Sequence, residues 1–173
     1  MLSPAIEKAL NEQINAEFWS AYLYLAMSCD AEAAGKPGIA NWFKIQFQEE
    51  QAHAQIFINY VNARGGRVTL MPIAEVPAKW ECPLCAFKDT LEHEQKVTAM
   101  INNLYALAES EHDYATREML NWFISEQVEE EENAKTLIDK FTLIGNDGMG
   151  IYMLDQELGA RTYAEPAPLA SGN

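Results

Sequence analysis

Apolar residues recur at intervals of three and four along four long stretches of the chain, the spacing that lines one face of an α-helix. The first stripe runs Leu10, Ile14, Glu17, Ala21, Tyr24, and the second runs Ile39, Phe43, Gln46, Glu50, His53, Phe57, Tyr60. The third runs Phe87, Leu91, Glu94, Val97, Ile101, Leu104, Ala108, and the fourth runs Leu120, Phe123, Gln127, Glu130, Ala134, Leu137, Phe141. Each stripe is apolar at its ends and carries acid, amide or imidazole groups in its middle. If these faces are buried, the polar groups are buried with them.

Punctuation residues divide the chain into an all-α bundle. Ser3-Pro4 is a helix start, with Ser as N-cap and Pro in the first turn, and the first helix is expected to run to about Ala34. Gly35-Lys36-Pro37-Gly38 turns the chain into a second helix, about Gly38 to Ala63, which stops at Gly65-Gly66. So short a connection makes the two helices antiparallel. Pro72, Pro77 and Pro83 predict an extended crossover over about 65–88, followed by helices over about Asp89–Ser110 and Tyr114–Ile144. After the Gly145-Asn146-Asp147-Gly148 turn, residues 148–158 read as a short fifth helix. Residues 1–158 are expected to form one domain and residues 159–173, with Pro166 and Pro168, a mobile tail. A helix this short needs a surface for Ile151, Tyr152 and Leu154, on this bundle or on a neighbouring chain. Trp42 and Phe47 lie off the second stripe and read as further exposed apolar surface, or as packing beneath the crossover.

Composition narrows the function. The chain has 173 residues, 49% of them hydrophobic, which suits one well-buried domain. Its formal charge of −14 argues against nucleic acid or an anionic membrane as partner and favours cations. The start, MLSPAIEKAL, has neither a basic region nor an apolar core of a leader, and no apolar run is long enough to span a bilayer, so a soluble cytoplasmic protein is expected. Cys29 lies in the first helix, and Cys82-Pro-Leu-Cys85 is one isolated pair. One pair does not complete a four-ligand metal site, so Cys82 and Cys85 read as loop thiols, with a redox or metal role as the lesser alternative.

The buried acids carry the chemistry. An uncompensated carboxylate in the interior costs several kcal/mol, and no Lys or Arg falls on the four stripes. His53 supplies at most one positive charge. A multivalent cation is the simpler neutraliser, and an oxygen-rich set with one imidazole suits iron, manganese or zinc, with iron favoured. Glu50-x-x-His53 places two such ligands on adjacent turns of one helix. Taken singly, each glutamate fits a solvated helix face, and Glu131 and Glu132 are read that way. It is the coincidence on four stripes that points to metal.

With Glu17, Glu50-x-x-His53, Glu94 and Glu126-Gln127-Val128-Glu129-Glu130 on four helices, a long second connection and a short fifth helix, residues 1–158 resemble the bacterial non-haem ferritins. Ferritin-like di-iron bundles are a known pattern of two Glu and two Glu-x-x-His motifs, and this chain departs from it by carrying Gln127-x-x-Glu130 in the fourth helix. The resemblance implies one iron held by Glu17, Glu50 and His53, and a second by Glu50 as bridge with Glu94 and Glu130, Gln127 hydrogen-bonding nearby. It implies a third iron position at Glu49, Glu126, Glu129 and Glu130, and a role for Tyr24 as hydrogen-bond or electron donor. The implied activity is ferroxidation of Fe(II) by dioxygen or peroxide, with ferric mineral stored in a hollow homo-oligomeric shell of about 24 subunits.

Rival readings are separable. In haem-binding bacterioferritins a Met precedes the motif's His, whereas this chain has Ala52, so no haem is expected. A rubrerythrin-like di-iron peroxidase lacks support from a second Cys pair or a second Glu-x-x-His. A DNA-protecting mini-ferritin fits worse, because those share the iron site between chains. A di-iron oxygenase would need an apolar pocket beside the metals, and a plain structural bundle would bind no iron.

Overall fold

The computed structural model describes residues 1–170, all of whose regular elements are helices: α1 (Pro4–Ala33), α2 (Pro37–Ala63), α3 (Pro83–Ser110), α4 (Tyr114–Ile144), α5 (Gly148–Gly159) and α6 (Ala167–Ala170). The architecture is the expected four-helix bundle with a long crossover between α2 and α3 and a short helix after α4. No helix among the described residues is long and apolar enough to cross a membrane.

Local chemistry explains where α1, α3, α4 and α5 start. The Ser3 hydroxyl accepts from the Ile6 amide at 3.2 Å, and Asp113 and Asp147 cap α4 and α5 through the Thr116 and Gly150 amides. Helix α3 begins six residues before the expected Asp89. Pro83 occupies its first turn, where a missing N–H leaves nothing unpaired, so this proline starts a helix rather than excluding one. The crossover is correspondingly shorter at its far end. It is pinned by Asn11, which donates to the Arg67 carbonyl and accepts from the Thr69 amide, and by Trp80, whose amide donates to Asp30.

Packing divides the interior into two apolar clusters with a polar layer between them. One cluster gathers Met27, Ile39, Phe43, Phe87 and Phe141, with Leu154 and Leu158 of α5. The other gathers Leu10, Ile14, Phe57, Val97, Leu120 and Phe123. The polar positions of the four stripes fall between the two, so the stripes are in register across the bundle.

Helix α5 docks on the start of α2, where the Asp155 carboxylate accepts from the Ile39 amide at 2.9 Å. Gly38 permits this approach, because a Cβ there would lie 1.6 Å from the Asp155 carbonyl oxygen. Of the three residues expected to need cover on α5, Leu154 is buried and Ile151 half-buried on this chain, while Tyr152 stays exposed beside Met149 and Met153. Trp42 is not exposed surface: it packs edge-on to Phe43 and Phe87, with the Arg161 guanidinium 4.8 Å from its ring centroid. Residues 160–170, read from sequence as tail, touch the bundle through Arg161 and Leu169. The end of that segment, residues 171–173, lies outside the described residues.

Gly38→Ala is expected to destabilise the fold by about 1–3 kcal/mol and to expose the α4–α5 connection to protease. Gly148→Ala, where a Cβ would meet nothing within 4 Å, is the neutral control. Thermal melts and limited proteolysis of the two variants check this; equal behaviour would contradict the docking described.

Candidate metal centre

All four long helices contribute to the polar layer. Glu17 comes from α1, Glu50 and His53 from α2, Glu94 from α3, and Gln127 and Glu130 from α4, each buried to 4% exposure or less. Glu17, Glu50 and His53 present ligand atoms within 4.8 Å of one another, the one such group among the described residues. Helical spacing makes this possible, since residues three apart on α2 share a face against α1.

Amide and hydroxyl donors orient the carboxylates. Gln13 donates to Glu17 at 2.7 Å from one turn earlier, and Gln46 donates to Glu130 at 2.8 Å across the bundle. Gln127 donates to the Glu94 carboxylate at 3.1 Å, and the Tyr24 hydroxyl donates to the same carboxylate. These donors leave several atoms without a partner. Glu17 Oε2, Glu50 Oε2 and His53 Nε2 are buried and make no hydrogen bond among the described residues. His53 Nδ1 lies 3.5 Å from Glu50 Oε2, too long for a good hydrogen bond. No ion pair among the described residues brings a Lys or Arg to Glu17, Glu50, Glu94 or Glu130.

Burial therefore sets the electrostatics. It raises the Glu17 carboxyl well above its ordinary range, reinforced by repulsion from Glu50. Burial does the same to Glu50, with Glu94 and Glu130 adding to it. Glu94 is raised by burial against the opposing hydrogen bonds from Tyr24 and Gln127. Glu130 is pushed up to about 8, again by burial and then by Glu94. Such a site holds protons until a cation displaces them.

The residues read as a third position are less closely assembled. Glu49 is taken by Arg161, whose Nη2 donates to it at 2.7 Å, and Glu126 lies 3.9 Å from His53 Nε2. Glu129 is exposed.

Four participants have no role that the residue pattern assigns. Gln13 had a signal, its four-residue spacing from Glu17, and Gln46 stood on the second stripe without a role. Arg161 had none, being 112 residues from Glu49. His93, one position off the third stripe, sits between the Trp19 and Tyr24 rings and shares a 2.8 Å hydrogen bond with Ser20. Burial pushes its imidazole down to about 4, so it stays neutral near neutral pH.

Cys82 and Cys85 are not loop thiols. They form a disulfide across the first turn of α3, with Cα atoms 5.1 Å apart, because the early helix start brings both residues to one turn.

Comparison with known proteins places these features. Residues 7–144 match the ferritin-like domain. The chain is 41% identical over 165 residues to a bacterial non-heme ferritin of Staphylococcus aureus (strain USA300), covering 95% of this chain and 99% of that protein. It is 42% identical to the corresponding protein of Bacteroides fragilis (strain 638R), covering 93% and 100%. Among solved structures, an open-pore ferritin from the archaeon Archaeoglobus fulgidus superposes with a TM-score of 0.93 at 44% identity, over 94% of this chain and all of that one. An engineered closed form of that ferritin superposes with a TM-score of 0.94 at 43% identity, over 95% of this chain and all of that one.

The raised carboxyls give a signed pH prediction for the metal-free protein. A folded-state pKa near 8 for Glu130, against about 4.5 unfolded, means the folded chain binds the extra proton, so stability is full below pH 4.5 and falls as pH rises to 8. The loss should be on the order of a few kcal/mol. Denaturation midpoints from pH 5 to 8 should fall steadily, a divalent cation should reverse the fall, and Glu130→Gln should make it shallower, leaving the share due to Glu17, Glu50 and Glu94. An unchanged slope in Glu130→Gln would contradict the assignment.

Proposed function

The chain belongs to the ferritin family, and on that premise we propose that it stores iron by oxidising Fe(II) at a two-iron centre inside each bundle. The observation that carries the reading is the trio Glu17, Glu50 and His53. Their ligand atoms converge within 4.8 Å while Glu17 Oε2, Glu50 Oε2 and His53 Nε2 stay buried and unpartnered. Buried polar atoms are normally satisfied, and here a cation is the missing partner.

In this reading Glu17, Glu50 and His53 bind one Fe(II), and Glu50 bridges to a second held by Glu94 and Glu130. Gln127 and Tyr24 hold the Glu94 carboxylate in place by hydrogen bonds. Loading displaces the protons that burial keeps on the carboxyls. The two ions give up one electron each, enough to take dioxygen to hydrogen peroxide or peroxide to water. Anionic oxygen ligands favour Fe(III) over Fe(II) by charge alone, which drives the oxidation forward. The second position has no imidazole, and weaker ligation there suits an ion that must leave. Glu49, Glu126, Glu129 and Glu130 offer the departing ion a further stop, once Glu49 exchanges Arg161 for metal.

The product collects as ferric mineral within a cytoplasmic shell of about 24 copies. Exposed Met149, Tyr152 and Met153 on α5 are apolar surface that such assembly would cover.

Two measurements test this. Oxygen uptake on anaerobic-to-aerobic transfer with two Fe(II) per chain should fall by about 100-fold or more in Glu50→Ala with His53→Ala, since both ions lose a ligand. Unchanged uptake would remove the centre from the reaction. Light scattering on the same wild-type sample should give a large shell that retains iron. A small oligomer that consumes oxygen without forming mineral would instead mark a di-iron peroxidase or oxygenase.

A further inference from the structure

The Cys82–Cys85 pair has no part in the proposed metal centre, and its surroundings are those that favour thiol–disulfide exchange. Cys82 is the N-cap of the 28-residue α3, and the Cys85 amide donates to the Cys82 sulfur at 3.0 Å. A sulfur held by helix N-terminal amides is stabilised as thiolate, which is the attacking and leaving form in disulfide exchange. Both cysteines are half-buried rather than sealed. A cavity of about 120 Å³, lined by Cys82, Trp80, Asp30, Lys36, Met27 and Phe43, opens directly on the Cys82 side. A purely structural disulfide would join distant segments; this one joins residues only three apart in sequence that the helix already holds together, and adds little to stability.

The pair is also joined to the carboxylate layer. Phe87, two residues beyond Cys85, stacks on Phe43 with centroids 4.9 Å apart, and Phe43 stacks on Tyr24 at 6.2 Å. The Tyr24 hydroxyl reaches Glu94. Along α3 itself, Cys85 and Glu94 are separated by about 14 Å of rigid helix.

We propose that Cys82 and Cys85 are a redox-active pair through which an external dithiol supplies electrons to reduce ferric iron for release. The iron limb of this proposal rests on the storage reading. In the first half-reaction a thiolate of the external dithiol attacks Cys82 Sγ and breaks the Cys82–Cys85 bond, with Cys85 leaving as thiolate. The donor's second sulfur then displaces Cys82 and leaves as a disulfide. The donor is oxidised by two electrons, and the pair ends as two thiols after taking up two protons. In the second half-reaction two Fe(III) each accept one electron, the Cys82–Cys85 bond re-forms, and two protons are released.

The test has two arms on the full-length protein. Without iron, the chain is equilibrated in mixtures of reduced and oxidised dithiothreitol, labelled with maleimide and weighed by mass spectrometry. Cys82 and Cys85 should gain and lose label together and reversibly as the mixture changes; labelling that ignores the mixture overturns the proposal. With ferric iron loaded, anaerobic release by limiting dithiothreitol is followed with an Fe(II) chelator in wild type and in Cys82→Ser with Cys85→Ser. Release should slow by about tenfold or more in the variant, while dithionite-driven release and oxygen uptake on Fe(II) addition match wild type. Equal dithiothreitol-driven release overturns the proposal. If neither protein oxidises or retains iron, the storage reading and the iron limb fail together, and the labelling arm alone decides whether the pair exchanges.

Discussion

Four carboxyls and an imidazole lie between two apolar clusters, with no lysine or arginine among the described residues paired to the carboxyls, and the rest of the molecule is arranged around that constraint. Taking such groups out of water costs several kcal/mol for each that remains charged. The protein meets the cost in two ways, through protons retained on carboxyls and through neutral donors. Gln13, Gln46, Gln127 and Tyr24 supply hydrogen bonds without adding charge, which leaves the layer short of positive charge. A basic residue in their place would have satisfied the acids and left nothing for a cation to do.

The donors also decide where the deficit falls. Glu94 receives two hydrogen bonds and Glu130 one, whereas Glu17 Oε2, Glu50 Oε2 and His53 Nε2 receive none. The unsatisfied atoms are thus concentrated on the α1–α2 side. That asymmetry is what the proposed pair of positions, one stronger and one weaker, would require, and Gln127 contributes to it by donating to Glu94. The flanking clusters keep the layer dry and hold four helices in register, so the packing of Phe57 on Phe123 and of Phe43 on Phe87 serves the site as much as the fold.

Much of this was legible in the residue pattern because helix and site share one period. The same spacing that marks a buried face also marks Glu17, Glu50, Glu94 and Glu130 as lying in it, so fold and candidate ligands were read together. What escaped had weaker periodic signal. Pro83 has two meanings, breaker within a helix and starter at its first turn, and only the position of Cys82 as cap distinguishes them. Arg161 reaches Glu49 through the docking of α5, a tertiary event with no local trace. Trp42 lies off the stripe and is compatible by pattern with exposure or with cover from the crossover, whereas α5 and Arg161 supply a second face to α2. Gln13 was readable from its spacing to Glu17, though glutamine is ordinary on helix surfaces.

Anomalous X-ray scattering at the iron edge, from crystals loaded anaerobically with Fe(II), tests the central claim most directly. The account predicts one strong peak among Glu17, Glu50 and His53 and a second, weaker one between Glu50, Glu94 and Glu130. Iron confined to surface acids, with the buried layer empty, would contradict it.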